Sequence, residues 1–411
     1  MMDFIEGFQA ETQEPPGAES QKLISDGQRT ELRMHLRRIE IKGYRGIRKL
    51  TLDLDQQINI FVGRNNTGKS SILEAIMLAA TASSQYYDAL GNDILEVIRR
   101  RIGEGKERYL INVDEHYAII QALLADLPLV EMSVVPPNLS QVDEEWIRDA
   151  LSNLYELIQQ RKEERRRKFL ERYEKALERK TLERYRRGVL VGIEEEFKPI
   201  VNFLTRIDAS ISLAALTETG IFRAEKGISS ELLFAGRGLK PSISELYSVL
   251  TRRGLIPKVM ENLRRDIPYL VDLRYVTDGE LMVFLDWVEE PLPLELMGDG
   301  FKEVLRMAFV LSLPKTGEVM FLLEEPESNL HPGFIELVTE YIAGVAKEER
   351  AQFFISTQSG EFLENLIDKA AEVIKVFRMY REVDGEITYE SFEGMEAQDL
   401  LKSIRADLRG I

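Results

Sequence analysis

The residues from Phe61 to Ser71 read FVGRNNTGKSS, which fits G-x-x-x-x-G-K-[ST] at Gly63, Gly68, Lys69 and Ser70. Such spacing suits the binding of a triphosphate. The glycines let the backbone of Arg64, Asn65, Asn66 and Thr67 turn its amides inward on phosphate oxygens. A helix starting at Ser70 would add the positive end of its dipole, with Ser71 in its first turn. Lys69 has the reach and charge for the β- and γ-phosphates, and the Ser70 hydroxyl is a Mg²⁺ ligand. The motif also has the context it needs, an apolar strand before it (Ile58 to Val62) and an apolar-faced helix after it (Ser70 to Ala80).

A second stretch, VMFLLEEPESNLHP (Val319 to Pro332), sets two carboxylates directly after five apolar residues. A buried strand that ends in adjacent acids can deliver both to one edge of a sheet. Glu324 is placed to hold Mg²⁺ through water, and Glu325 to orient or deprotonate the attacking water. Alone, a Glu-Glu pair is more simply a solvated turn. Its pairing with a phosphate loop gives it the chemical reading.

Elements must bring these two stretches together. The alternation in LRRIEIKGYRGIRKLTLDL predicts two antiparallel strands that break at Gly43 and Gly46. Further on, the pattern predicts helices over Ile243–Thr251, Pro257–Arg265, Gly300–Leu311, Phe334–Ala346 and Phe362–Ala371. Strands are expected at Val319–Leu323 and Gln352–Ser356, and hairpins over TDGE (Leu270–Tyr275, Leu281–Trp287) and DGE (Val373–Tyr380, Ile387–Phe392). Strand–helix alternation around a phosphate loop argues for an α/β fold with a parallel core and antiparallel additions.

The chain divides into four expected parts. Residues 1–33 are polar and read as a flexible N-terminal extension, and 34–85 form the first half of the nucleotide lobe. Residues 86–200 read as a mostly helical insertion, with helices at Ile94–Ile102 and His116–Leu127, and 201–411 complete the lobe. Within the insertion, 143–187 runs without Gly or Pro. As one straight helix it would reach ~65 Å. Acids at Asp143 to Glu145 suit its start, and Arg184, Arg186, Arg187 and then Gly188 suit its end. Its middle, QQRKEERRRK, has no apolar face and is expected to project or to meet a partner.

Charge and composition exclude several classes. The 411 residues carry a net −16, against the profile of a protein that coats nucleic acid. Yet 161–187 holds thirteen Lys and Arg against six Asp and Glu, a local +7. That run is either a solvated helix face with i,i+4 pairs or a contact for DNA, RNA or a partner protein. The absence of cysteine excludes disulfides, cysteine-based zinc sites and a thiol nucleophile, and three histidines leave little for a His-rich metal centre. No apolar run approaches the ~18 residues of a membrane span, and the start lacks an apolar signal core, so the expected location is cytoplasmic.

Taken in order, IEIKGYRGI, GRNNTGKSSILEAI, MGDGFKEVLRMAFVL, LLEEPESNLHP and FFISTQS resemble the ABC-type ATPases of the SMC/RecF kind. They are most similar to the stand-alone ATPase modules of the overcoming-lysogenization-defect (OLD) proteins. The resemblance covers about 34–85 and 240–411. It implies a P-loop NTPase with an ABC/SMC-like head, antiparallel β additions and an inserted coiled-coil-like region, using ATP and Mg²⁺. Gly298, Asp299 and Gly300 stand where the family has its signature loop, which acts in trans on the γ-phosphate held by the other subunit. An ATP-bridged homodimer is thereby implied. Glu327 to Pro332 resembles the D-loop, while His331 is read as a turn residue.

The resemblance also has departures. The switch usually places His after Ser-Thr, and here Gln358 follows. An amide can bond a γ-phosphate but cannot carry charge near neutral pH, which implies slow or partner-dependent hydrolysis. Gly298 stands where the signature usually begins with Ser. Gln85 and Gln121 are candidates for the Q-loop, or else helix-surface residues. Arg45 either lies near the nucleotide or is a solvated turn residue, and Tyr44 either faces the adenine or packs in the sheet.

OLD nucleases carry a Toprim domain after the ATPase. Only 86 residues follow Glu325, so any nuclease or other effector is expected to be a separate subunit. The reading is therefore an ATPase whose catalytic set is Glu325, Lys69 and Gln358, and whose nucleotide-driven dimerisation controls an effector or a nucleic-acid transaction in DNA repair or anti-phage defence. The alternative is a nucleotide-gated scaffold with little turnover. A transporter motor is disfavoured because the signature is unlike the transporter form.

Overall fold

The computed structural model describes residues 35–82, 86, 93–103, 105–125, 129–136, 199–207, 210–217, 221–223, 232–235, 242–276, 280–313, 319–348 and 351–404. The long charged run 143–187, the basic segment 161–187, Gln85 and residues 1–33 lie outside them.

Strands β1 (Leu36–Tyr44) and β2 (Ile47–Asp53) form a hairpin over Arg45–Gly46, with Arg45 in the left-handed region (φ 50°) that tight hairpins need. Strand β3 (Ile58–Val62) leads through the phosphate loop into helix α1 (Lys69–Thr81), and α2 (Ile94–Ile102) follows. Next come β4 (Ala118–Leu124), β5 (Val130–Val135), β6 (Pro199–Ile207), β7 (Ser210–Thr217), β8 (Ile221–Arg223) and β9 (Leu232–Ala235). The second half holds α3 (Ile243–Arg252), α4 (Ile256–Asp266), β10 (Leu270–Tyr275), β11 (Leu281–Leu285) and β12 (Leu292–Pro293). It continues with α5 (Asp299–Leu311), β13 (Val319–Glu324), α6 (Pro332–Lys347) and β14 (Ala351–Thr357). The last elements are α7 (Gly360–Ala370), β15 (Ile374–Arg381), β16 (Ile387–Glu393) and α8 (Gly394–Ile404).

The central sheet has the order β16-β15-β3-β14-β13-β9 and is parallel except for β16. Strands covered on both faces read as continuous apolar runs, and INIFV and AQFFIST are buried throughout. An antiparallel sheet, β2-β1-β4-β5-β6-β7-β8, lies over one face, with α1 between. Ile39, Ile41 and Ile120 from that sheet join Phe61, Leu322 and Phe354 of the central sheet and Ile72 and Ile76 of α1 in one apolar cluster. The other face packs on the helices of the second half through Ile60, Phe321, Leu323 and Ile355. The buried Gln352 side chain ties the layers: it accepts from the Leu36 amide (2.8 Å) and donates to the Leu54 carbonyl (2.8 Å).

The expected parallel α/β core with antiparallel additions is what the chain forms. Two readings change. Residues 118–124 are a strand, where His116–Leu127 was expected to be a helix. AIIQALL buries Ala118, Ile120, Ala122 and Leu124, and its β-branched pair suits the register of Ile120 opposite Ile41. Gln121, the described Q-loop candidate, is therefore a strand residue. Its Nε2 donates to Glu131 Oε2 across β4 and β5 (2.5 Å). Helix α1 is buried on nearly every side rather than along one stripe, because it is sandwiched between two sheets.

Candidate nucleotide site

The loop after β3 has three residues at positive φ: Gly63 (148°), Asn66 (65°) and Gly68 (88°). Gly63 is required for space as well as for φ, while Gly68 is required chiefly for φ, since the atom a Cβ there would meet is the mobile end of a side chain. A Cβ on Gly63 would sit 2.5 Å from the Met379 carbonyl oxygen, and one on Gly68 would sit 2.6 Å from Ile387 Cδ1. The loop is braced from inside by Thr67 Oγ1, which donates to the Arg64 carbonyl (2.9 Å), and from β15 by Arg381 Nε, which donates to the Asn66 carbonyl (2.6 Å). Arg64, Asn65 and Asn66 are exposed, while Ser70 and Ser71 are half-buried at the start of α1. Amides in that first turn have no acceptor within the helix and suit an anion.

Lys69 is buried, and its Nζ donates to the carbonyls of Gly63 and Arg64, 2.7 Å each. Burial lowers its ammonium from the ordinary value, and the nearby charges of Glu325 and Glu324 oppose that shift. The two acids come from β13, which is separated from β3 by β14 alone. Glu324 is level with Ser356, and Ser356 with Phe61, so the acids leave the sheet at the same end as the phosphate loop, ~10 Å across two strand spacings.

Glu325 takes the left-handed conformation (φ 46°), rare for a side chain of this kind. The turn is held by its amide, which donates to the Ser356 carbonyl (2.8 Å), and by Gln358 Nε2, which donates to Glu325 Oε1 (2.5 Å). Gln358 thus lies against Glu325 at the end of β14. Beside them Glu327 Oε1 accepts from Thr357 Oγ1 (2.6 Å) and from the Gln358 amide (3.3 Å). Burial pushes the Glu327 carboxyl up, and its hydrogen bonds offset only part of that shift.

A buried charged cluster adjoins these groups. Glu74, fully buried on α1, has its Oε2 2.5 Å from Arg45 Nη1 and its Oε1 3.2 Å from Arg101 Nε. Arg101, on α2, also donates from Nη2 to Glu324 Oε2 (2.7 Å). Tyr44 is buried with its hydroxyl toward Glu74 Oε2 (3.4 Å), so it packs in the sheet. Burial and then Glu74 push its phenol well up. Burial works against the Arg45 charge, and the Glu74 carboxylate more than compensates. Sequence reading missed Glu74 and Arg101 as site residues, and it placed Glu327 only at the start of the D-loop resemblance, not beside Thr357 and Gln358. The one signal was Glu74 itself, a carboxylate amid the apolar run of α1, which a buried helix admits only with a partner.

Arg45 also lines a cavity of about 380 Å³ with Arg48, Tyr109, Asn112 and Arg381, next to the phosphate loop that Arg381 braces. The signature-like residues open α5: a Cβ on Gly300 would sit 2.9 Å from the Asn329 carbonyl oxygen, and Asp299 pairs with Lys302 (2.9 Å). His331 caps α6 by accepting from the Gly333 amide (3.3 Å). Among the described residues no group of three or more His, Asp or Glu could hold a metal. The oxygen donors at hand, the Ser70 hydroxyl and the Glu324 carboxylate, suit a hard cation that takes its other ligands from phosphate and water. Among the described residues no helix is long and apolar enough to cross a membrane.

A phosphate loop on a buried parallel sheet, faced by two carboxylates from two strands away, defines a P-loop nucleotide-binding fold of the ATPase type. Residues 58–364 match the family described as "AAA domain, putative AbiEii toxin, Type IV TA system", and the chain belongs to it. It is 29% identical over 114 residues to the DNA replication and repair protein RecF of Halothermothrix orenii, a match over 26% of this chain and 30% of RecF. It is 22% identical to an ATP/GTP phosphatase of Helicobacter pylori, over 80% of this chain and 86% of that protein. Among solved structures, it is similar to an SMC head domain with an extended coiled coil bound to the C-terminal domain of ScpA derived from Pyrococcus furiosus. There the TM-score is 0.48 at 15% identity, covering 90% of this chain and all of that one. At family level the chain is an ATPase-domain protein, and RecF and an ATP/GTP phosphatase are among the proteins it is similar to.

Proposed function

We propose that this chain binds ATP with Mg²⁺ on the loop Gly63–Ser71 and hydrolyses it with Lys69, Glu325 and Gln358. The observation that carries this reading is geometric: Glu324 and Glu325 leave the sheet at the same end as the loop of Lys69, with β14 alone between their strands. Lys69 would exchange its loop carbonyls for β- and γ-phosphate oxygens and neutralise their charge. Glu325, fixed by its turn, would orient the attacking water and take its proton, and Gln358 would steady both Glu325 and the γ-phosphate. Ser70 and Glu324 would hold Mg²⁺, which would supply charge neutralisation to the phosphates. The cavity beside Arg45 and Arg381 suits the nucleoside by position.

By resemblance to the SMC, RecF and OLD proteins, ATP would close two copies head to head, with Gly298, Asp299 and Gly300 of one facing the nucleotide of the other. Hydrolysis would reopen them and so control a separate nuclease or other effector in DNA repair or defence. The segment 161–187 is the proposed contact for that partner or for nucleic acid.

A second reading, a scaffold that assembles on ATP and barely turns it over, draws on one contact. The Gln358 amide occupies Glu325 Oε1, and glutamine cannot become a cation. Phosphate release from the wild type, Lys69→Ala and Glu325→Gln, with light scattering in ATP and in ADP, tests both. Release that both substitutions abolish supports the ATPase. Assembly without release supports the scaffold. Equal release from all three chains refutes the site.

A further inference from the structure

Glu324 is the acid proposed to hold the cation, yet its Oε2 is already engaged: Arg101 Nη2 lies 2.7 Å away in a charge-assisted bond. This contact joins residues 223 apart in the chain, from an element that the nucleotide reading does not use. Both partners are mostly buried, with side chains 17% and 10% exposed, so the bond is little screened by water. Arg101 is also anchored elsewhere, since its Nε stands 3.2 Å from Glu74 Oε1. Its Nη1 is buried and has no hydrogen-bond partner among the described residues.

We propose that Arg101 is a positioning residue that competes with the divalent cation for Glu324, so that α2 responds to metal occupancy. The inference rests on the ATPase reading and deepens it. Two acids, Glu74 and Glu324, share two guanidiniums, Arg45 and Arg101, and the cluster is neutral. A cation that recruits Glu324 must displace the Arg101 contact and work against the guanidinium's charge. When Glu324 turns to the cation, Arg101 still has Glu74, which makes the exchange feasible without stranding a buried charge. The cluster then carries one surplus positive charge beside a site that takes a polyanion. Occupancy of the site thereby loosens one of the ties between α2 and the central sheet, and α2 leads by chain into the antiparallel sheet through β4.

The test measures Mn²⁺ binding by electron paramagnetic resonance on the full chain loaded with ADP, alongside uptake of a fluorescent ADP in EDTA. Arg101→Gln keeps a polar group and removes the charge. It is expected to tighten Mn²⁺ about tenfold, the scale of one charge a few ångströms from a cation. The gain is expected to vanish when Glu324→Gln is added. In the wild type, Mn²⁺ is expected to speed amide hydrogen exchange in α2, and this measurement decides the matter if Arg101→Gln does not fold. Unchanged or weaker Mn²⁺ binding in a folded Arg101→Gln chain, or α2 exchange that Mn²⁺ leaves unchanged or slows, overturns the proposal. If fluorescent ADP binds normally in EDTA and Mn²⁺ affinity does not move, only the Arg101 role falls. If the wild type takes up no ADP, the nucleotide reading falls and takes this one with it.

Discussion

Replacing Glu74 by leucine is a sharp test of the buried cluster. The side chain is fully buried and is the shared counter-charge of Arg45 and Arg101. Removing one partner of a buried ion pair costs ~3–5 kcal/mol. Here the lower end applies, because Arg101 keeps Glu324 and the Arg45 side chain is 29% exposed and can reach water. At ~2.1 cal/mol/K per residue, unfolding a chain of this length has an entropy near 0.9 kcal/mol/K, so a loss of ~3 kcal/mol lowers Tm by ~3–4 °C. Differential scanning calorimetry reads that shift, and Glu361→Leu on the exposed start of α7 is the control, expected within ~1 °C of wild type. Adding Arg101→Leu to Glu74→Leu should cost less than the sum of the single losses, since both sites couple through one contact. A Glu74→Leu chain that melts within ~1 °C of wild type would refute the claim that these charges depend on one another.

Three further outcomes follow from the geometry. Glu325→Gln should cut ATP turnover ~10²-fold or more while leaving nucleotide affinity within a few-fold, read by single-turnover phosphate release and fluorescent-nucleotide titration. A large loss of affinity would mean that Glu325 serves binding. Gly63→Ala should destabilise by ~2 kcal/mol or more and abolish nucleotide binding, because the new Cβ meets the Met379 carbonyl at 2.5 Å and the residue sits at φ 148°. Calorimetry and titration check it, and a wild-type melting curve would contradict it. Glu327 has its carboxyl pKa raised by burial, so the folded chain binds its proton more tightly than the unfolded chain, and stability is lost as pH rises through that interval. Glu327→Gln should therefore gain in Tm over wild type as pH goes from 5 to 8, and a constant difference across that range would count against the buried charge.

The parts legible in the sequence were those whose chemistry dictates local geometry. Gly63, Gly68 and Lys69 announce a loop at positive φ before a helix, and five apolar residues before Glu324 announce a buried strand with acids at its end. The helices from Ile243 to Ala370 and the two hairpins followed from period and turn residues. AIIQALL did not, since its apolar positions satisfy a helical and a strand period alike, and pairing with β1 decided between them. Glu74 could be read as an acid that needs a partner, but Arg45 and Arg101 are brought to it by packing of three separate elements. The bond from Arg101 to Glu324 spans 223 residues and has no local signature at all. Glu327 was legible only as the start of the D-loop resemblance; its contact with Thr357 and Gln358 depends on β14 being brought beside it.

The account turns on whether a triphosphate rests on Lys69 with both acids turned to it. A crystal structure of Glu325→Gln grown with Mg²⁺ and ATP answers that directly. The account predicts β- and γ-phosphate oxygens within ~3 Å of Lys69 Nζ, with Glu324 and residue 325 facing the γ-phosphate. Nucleotide bound away from Gly63–Ser71, or acids turned from the phosphates, would contradict it.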